Sequence, residues 1–459
     1  MTESVLTGRD TMPRGEGDLT IEGHGIEPIP ADARYGSVNR LFTVWFTPNL
    51  VPAAFALGAL AAVLGLGFVS GVLAIIVGNI IGGALVAILG TMGPKLGLAQ
   101  IPITRLSFGK TIVVPGIINW LSTIAWDAIN AFFGAYAISV ISGDVIPFPV
   151  GLLIVVLCQA GLSIVGYEAI HTFEKYAAIG LAVLFAIVTV ALLPKADFSF
   201  AGSAESLGTF VLMTTIAGSF NLGWALYASD YSRYLPASTP SSRVAGLAFL
   251  GIALSAIWIE ILGLATVGAV TNPDADPVHQ INDLLGGGIL GIVAMVAIFF
   301  GTVAVNAMND YSGSLSLLAA GIKIWRPLSA GIVGVLSFIA TLWLYQANFN
   351  ATFENYLLFI TYWIGPWSAI VLTDWQLRRH STAGAAHVAD FSLLPSGRNG
   401  LIALIVGFVA SIPFMDATVM VGPAATALGG ADIAYVIGFI VAAAVYAVLE
   451  RASPSSVPA

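Results

Sequence analysis

The chain is written as long uncharged intervals separated by short polar ones, and the length of each interval decides what it can be. Between Glu205 and Asp230 lie 24 uncharged positions, about 36 Å of helix at 1.5 Å per residue, enough to cross a bilayer core of ~30 Å. Arg40 to Lys95 leaves 54 uncharged residues, room for two spans with a break near Gly65-Leu66-Gly67. A third span over Thr111–Val140 is interrupted only by Asp127, a fourth occupies Val150–Gly166, and a fifth lies between Lys175 and Lys195. The Glu205–Asp230 interval is the sixth. The seventh runs about Val244–Val270 around Glu260, and the eighth about Gly287–Gly321 around Asp310. Pro327–Tyr345, Phe353–Thr373, Leu401–Phe414 and Ile433–Leu449 complete a count of 12.

Two of these intervals make poor plain spans. Gly218, Ser219, Asn221 and Gly223 fall in the middle of the sixth, and Phe46-Thr47-Pro48-Asn49 with Pro52 interrupts the first. A helix weakened at membrane depth is tolerated where the freed backbone is buried in protein or lines a cavity. A matched pair of such interruptions in two halves points to a transporter's midplane site. Five spans per half, an odd number, would invert the second half relative to the first. The expected organisation is an amino-terminal tail (1–39), a first repeat (40–195, spans one to five) and a second repeat (196–376, spans six to ten). A loop with peripheral spans eleven and twelve (377–450) and a short tail (451–459) follow.

Composition agrees: 58% of residues are apolar and 9% charged, with mean hydropathy +0.92, against about 25% charged in soluble domains. The fold class is an all-α polytopic membrane protein. With the amino terminus inside, sixteen of the seventeen Lys and Arg residues fall on the cytoplasmic side and only Lys195 outside, as the positive-inside rule requires; both termini are then cytoplasmic, at a cell membrane. The first 40 residues contain no apolar run, so no cleavable signal peptide is expected. The net charge of −8 carries no nucleic-acid signature, and Cys158, inside a span, rules out a disulfide framework.

The chemistry sits in the polar residues that the spans carry. Trp126 and Asn130, four apart, share one helical face and suit either a flat ring, stacked and hydrogen-bonded at its edge, or simple helix packing. Asp127, on another side of the same helix, is an ionisable group at membrane depth and a functional candidate by default. Phe220 and Trp224 are again four apart around Asn221 and Gly223. Asn306, Asn309 and Asp310 lie within about one turn of the eighth span. Glu260, beside Trp258, has no partner that the sequence identifies; proton relay and structural carboxylate stay open. Asp230, Arg233 and Tyr234 suit a gate at the cytoplasmic end. His24, His171, His279, His380 and His387 are expected in tails or loops, and none has metal-ligand spacing. No Walker loop, dinucleotide fingerprint or nucleophile elbow occurs, so no cofactor or catalytic residue is expected, and the energy must come from a gradient.

Several stretches together resemble the purine-cytosine permeases of the nucleobase–cation symporter-1 group. They are GIEPIP (Gly25–Pro30), WFTPNLVPAAFALGAL (Trp45–Leu60), RLSFG (Arg105–Gly109), GYEAIHTFEKY (Gly166–Tyr176), ASDYSRYLP (Ala228–Pro236) and the Asn309-Asp310 pair. The resemblance implies a five-plus-five inverted repeat with broken helices 1 and 6, and symport of a nucleobase or similar heterocycle. It also implies Trp126 as the ring-stacking residue with Asn130 as its amide partner, Phe220 or Trp224 from the sixth span, Asn306 or Asn309 from the eighth, and Thr47 or Asn49 from the first. Sodium-dependent members carry small hydroxyl residues just before the Asn-Asp pair. Here Ala307-Met308 offers no side-chain oxygen, which favours protons over sodium, with Asp127, Asp310 or Glu260 as carriers. Rival readings are another heterocycle (allantoin, a hydantoin, a pyridine or pyrimidine vitamin), or a channel or sensor. No obligate protein partner is expected.

Overall fold

Pro52 decides how the first apolar interval is built in the computed structural model, which describes residues 25–165, 167–272, 275–347, 349–378 and 380–458. Helix α1 (Arg40–Phe46) tightens into a 3-10 turn at Thr47–Asn49, and α2 (Pro52–Val63) starts on the proline. A proline at the first helical position gives up an N–H that has no partner anyway, and its ring drives the preceding residue out of the helical region. Val51 is accordingly extended, at φ −137° and ψ 155°. The two pieces are bent by 58°.

After this come α3 (Phe68–Gly90), α4 (Met92–Leu96), α5 (Gln100–Phe108), α6 (Val113–Ile141), α7 (Phe148–Val165) and α8 (Tyr167–Leu192). Helix α9 (Leu207–Leu222) opens on a reciprocal cap in which Ser206 Oγ accepts from Thr209 N and Thr209 Oγ1 accepts from Ser206 N. The α-helix runs regularly through Gly218, Ser219 and Asn221 and stops only at Gly223: Gly223–Tyr227 is 3-10 and turns follow. Next are α10 (Ser241–Thr266), α11 (Pro277–Leu284), α12 (Gly288–Ala319), α13 (Arg326–Leu344), α14 (Phe349–Leu377) and α15 (Arg398–Ser411). A two-residue hairpin, β1 (Asp416–Ala417) with β2 (Met420–Val421), precedes α16 (Pro423–Ala427) and α17 (Ala434–Ala452).

Among the described residues nine helical segments are long and apolar enough to cross a membrane, ten if the bent α1–α2 pair is one span, and Leu328–Leu344 and Arg398–Phe414 are shorter apolar helices. Large apolar side chains such as Leu73, Val77, Leu157 and Val183 point outward, the inverse of a water-soluble surface. Cys158 is exposed on α7. The amino-terminal tail through residue 24, Asp274 and Arg379 lie outside the described residues. The charge boundary at Lys175 misplaces the fifth helix: His171, expected in a loop, is buried within α8, because Glu168 pairs with Arg40 at 3.0 Å and lets the helix begin among charges. His279 likewise falls within α11.

Helices α1–α2, α3, α9 and α10 pack on one another, while α6, α7, α12 and α13 form a second group, with α8 against α12; α15 and α17 flank α14. The first group owes its closeness to residues without side chains, the usual route to tight packing in lipid. A Cβ at Gly58 of α2 would stand 1.8 Å from Glu260 O of α10, and one at Gly82 of α3 would stand 2.3 Å from Gly218 O of α9.

Candidate ligand-binding site

The 3-10 turn at Thr47–Asn49 and the end of α9 leave a cleft between the two helix groups. Its first wall comes from Pro48 and Val51 at the first-span break and from Phe220, Gly223, Trp224 and Tyr227 around the end of α9; its second comes from Trp126 and Asn130 on α6 and Val305 and Asn309 on α12. The two walls nearly touch, enclosing only about 10 Å³, and no lining residue is charged. Such a lining suits a neutral, flat guest, for which the walls must part. Gly223 is small for a reason visible here: a Cβ would meet Trp126 Cζ2 at 3.2 Å.

The aromatic rings stand edge to face. Trp126 meets Phe220 at 5.9 Å and 75°, and Tyr356 of α14 at 5.2 Å and 83°, geometries favoured by the ring quadrupole. Tyr356 is held in turn by donation to Ser122 O at 2.9 Å. Trp224 meets Trp45 at 6.0 Å and Tyr227 at 5.6 Å.

Five of the eight residues expected to contact a ligand therefore meet in one cleft: Trp126, Asn130, Phe220, Trp224 and Asn309. The other three lie behind its walls. Thr47 donates to Thr43 O at 2.9 Å and to Glu174 O at 3.4 Å. Asn49 donates to Asn221 Oδ1 at 3.2 Å and to Ile252 O at 2.9 Å. Asn306 donates to Asp127 O at 3.1 Å and Gln159 Oε1 at 2.7 Å. Val51, Tyr227 and Val305 line the cleft although the sequence did not single them out; Tyr227 and Val305 lie three and four residues from Trp224 and Asn309, a helical spacing that could have found them.

Asn309 joins the cleft to a buried polar cluster. Behind it Asp127 of α6 and Asp310 of α12 adjoin each other, both fully buried, and Gln159 of α7 donates to Asp127 Oδ2 at 3.3 Å. Neither Asp310 oxygen, nor Asp127 Oδ1, nor either polar atom of the Asn309 side chain makes a full hydrogen bond among the described residues. Glu260 lies elsewhere, in α10, where Asn79 of α3 donates to its Oε2 at 2.7 Å. Gln159 and Asn79 did not stand out in the sequence, although each is an amide inside an apolar interval.

The face that carries residue 25 is sealed. Asp230 accepts from Gln100 N at 2.7 Å and from Ser312 Oγ at 2.6 Å. Arg233, buried, donates to Gly25 O at 2.7 Å and to Tyr311 Oη at 2.8 Å. Tyr35 N donates to Tyr234 O at 2.7 Å. The segment GIEPIP thus lies across this face and supplies Arg233 with a backbone acceptor at Gly25 O.

The family model described as "Permease for cytosine/purines, uracil, thiamine, allantoin" matches residues 28–438. The chain is 29% identical to the purine-cytosine permease FCY2 of Saccharomyces cerevisiae, over 94% of this chain and 86% of that protein. It is 28% identical to the purine-cytosine permease fcyB of Emericella nidulans, over 94% of this chain and 89% of that one. In three dimensions it is similar to Mhp1, a nucleobase-cation-symport-1 family transporter in a closed conformation with bromovinylhydantoin bound, with a TM-score of 0.75, 19% identity and 93% and 94% of the two chains covered.

Proposed function

Since the chain belongs to the family of permeases for cytosine/purines, uracil, thiamine and allantoin, we propose that it imports a nucleobase, cytosine or a purine, by symport with protons. The observation that carries this is the uncharged aromatic cleft of Trp126, Phe220 and Trp224 with the amides of Asn130 and Asn309 on its far wall. A nucleobase is flat, neutral and rich in edge donors and acceptors, so rings take its faces and amides its edge. Trp126 would stack on it and Asn130 and Asn309 would hold its edge. The bent α1–α2 pair and the α9 end are read as broken spans one and six. Adding α13 and α15 to the ten candidate spans gives twelve, in two inverted halves (40–195 and 196–376), with the sealed face cytoplasmic, both termini there, and the whole in the cell membrane. Alternating access then means rocking the α1–α2, α3, α9, α10 group against the other.

Protons are favoured over sodium because Ala307 and Met308, both buried in α12, bring no side-chain oxygen, whereas Asp127 and Asp310 adjoin each other. Two adjoining buried carboxyls are suited to pass a proton between them. Asn309 lies between that proton and the guest, which is how occupancy of one site is felt at the other. Asp310→Asn should abolish accumulation driven by a pH gradient while leaving exchange of labelled for unlabelled nucleobase intact; accumulation at the wild-type level would remove the pair from the mechanism.

The deciding experiment is uptake into proteoliposomes with proton and sodium gradients imposed separately. Saturable uptake of cytosine, adenine, guanine or hypoxanthine driven by the pH gradient is expected. No uptake of any of these would end this reading, and competition by allantoin, a hydantoin or a pyrimidine vitamin against labelled cytosine tests the second one, which the breadth of the family supports. A sensor would bind without accumulation and a channel would not saturate.

A further inference from the structure

Behind the cleft wall an unbroken row of hydrogen bonds runs from Trp224 to Glu260, and every bond points the same way. Trp224 Nε1 donates to Asn49 Oδ1 at 3.3 Å, Asn49 Nδ2 to Asn221 Oδ1 at 3.2 Å, Asn221 Nδ2 to Asn79 Oδ1 at 2.7 Å, and Asn79 Nδ2 to Glu260 Oε2 at 2.7 Å. Asn49, Asn79, Asn221 and Glu260 are fully buried. The row crosses five elements: the 3-10 segment Gly223–Tyr227, the first-span turn, α9, α3 and α10.

Chemistry dictates the direction. An indole N–H can only donate, while a primary amide has one donating and one accepting end. Three amides in series between a pure donor and a carboxyl oxygen that accepts must all face the same way, or somewhere two donors or two acceptors collide. Asn49 and Asn79 are each steadied by a second donation, to Ile252 O and Ile75 O, both at 2.9 Å. Among the described residues the Asn221 side chain bonds only its neighbours in the row. It is the link whose sense depends on both ends.

Resting on the heterocycle-binding reading of the cleft, the geometry points to Glu260 as a positioning residue for ligand recognition. Its carboxyl terminates an amide ladder that holds the Trp224 indole with its N–H turned away from the cleft, so that the ring alone faces the guest and edge recognition falls to Asn130 and Asn309. Glu260 does not line the cleft, and so acts through the ladder. Chains of this kind polarise one another, and coupling between their members is what distinguishes a network from independent bonds.

Two readouts on the purified full chain in detergent test this. The first needs no ligand: 19F spectra of protein labelled with 5-fluorotryptophan, with the Trp224 signal assigned from Trp224→Phe. Glu260→Leu should move that signal and Glu260→Gln, whose amide oxygen still accepts, should restore it. Asn221→Leu, which removes the two middle bonds of the ladder, should move it too, so the test survives if Glu260→Leu does not fold. The second is equilibrium binding of cytosine and adenine. Glu260→Leu should weaken it about fivefold, Glu260→Gln should recover most of the loss, and Glu260→Leu added to Trp224→Phe should cost nothing further, since both act through one indole. A Trp224 signal that stays in place in the folded Leu variants, or additive losses in the double variant, would overturn the proposal. A signal that moves in a protein that binds neither base would leave the ladder standing and remove the nucleobase reading instead.

Discussion

At the scale of single residues the cleft rests on contacts that one substitution can remove. Trp126 packs edge to face on Phe220 and Tyr356 and offers its remaining surface to the cleft. Trp126→Ala is expected to abolish nucleobase uptake, and because aromatic pairs are worth only about 1 kcal/mol each beyond their burial, the purified variant should still elute as a folded monodisperse protein. Loss of the folded species would make Trp126 a packing residue instead. The pair Trp126 and Asn130 was legible because an unbroken α-helix carries positions four apart to one side. Thr47 and Asn49 were not, for a physical reason: residues in a 3-10 turn advance by about 120° rather than 100°, so the tightening over Thr47–Asn49 brings Pro48 to the cleft and turns its neighbours away. Asn306 and Asn309 could not be separated either, since what takes Asn306 out of play is Gln159, an amide 147 positions earlier in the chain.

Among the elements, α11 shows how a loop helix is tied down. Asp276 caps it by accepting from Val278 N and His279 N at 3.0 and 3.1 Å, and its other oxygen meets His279 Nδ1 at 2.6 Å. That hydrogen bond raises the His279 pKa above its ordinary value, against the opposing effect of partial burial. A raised histidine stabilises the folded state fully below about pH 6.5, and the contribution fades as pH climbs through the folded-state value. Partly exposed as the pair is, it is worth less than about 1 kcal/mol. Melting curves of wild type and His279→Gln should therefore be separated at pH 5.5 and converge by pH 9; equal separation throughout would exclude a charge effect. Helix existence was legible almost everywhere, since charges mark the ends of apolar intervals. The start of α8 was not, because Glu168 is matched by Arg40 from another part of the chain, and a paired charge no longer marks a boundary; nor was the short loop helix α11.

For the molecule as a whole, a bundle of many apolar helices was readable from the chain because lipid leaves few options for a backbone. Which helix meets which was not, since nothing local in α3 announces that Asn79 will be answered by Asn221 and Glu260. Those partners alternate: Asn49 and Asn79 come from residues 40–195, and Asn221 and Glu260 from residues 196–376. Each half thus carries buried amides or acids whose complements belong to the other, so neither could assemble alone without stranding them in hydrocarbon. Cut genetically in the loop between Lys195 and Leu207, the protein should yield degraded fragments when either piece is made by itself, and a stable, co-purifying pair when both are made in one cell. In that sense the two stretches of chain resemble interleaved fingers more than joined modules, and neither can be exchanged or repaired without its counterpart.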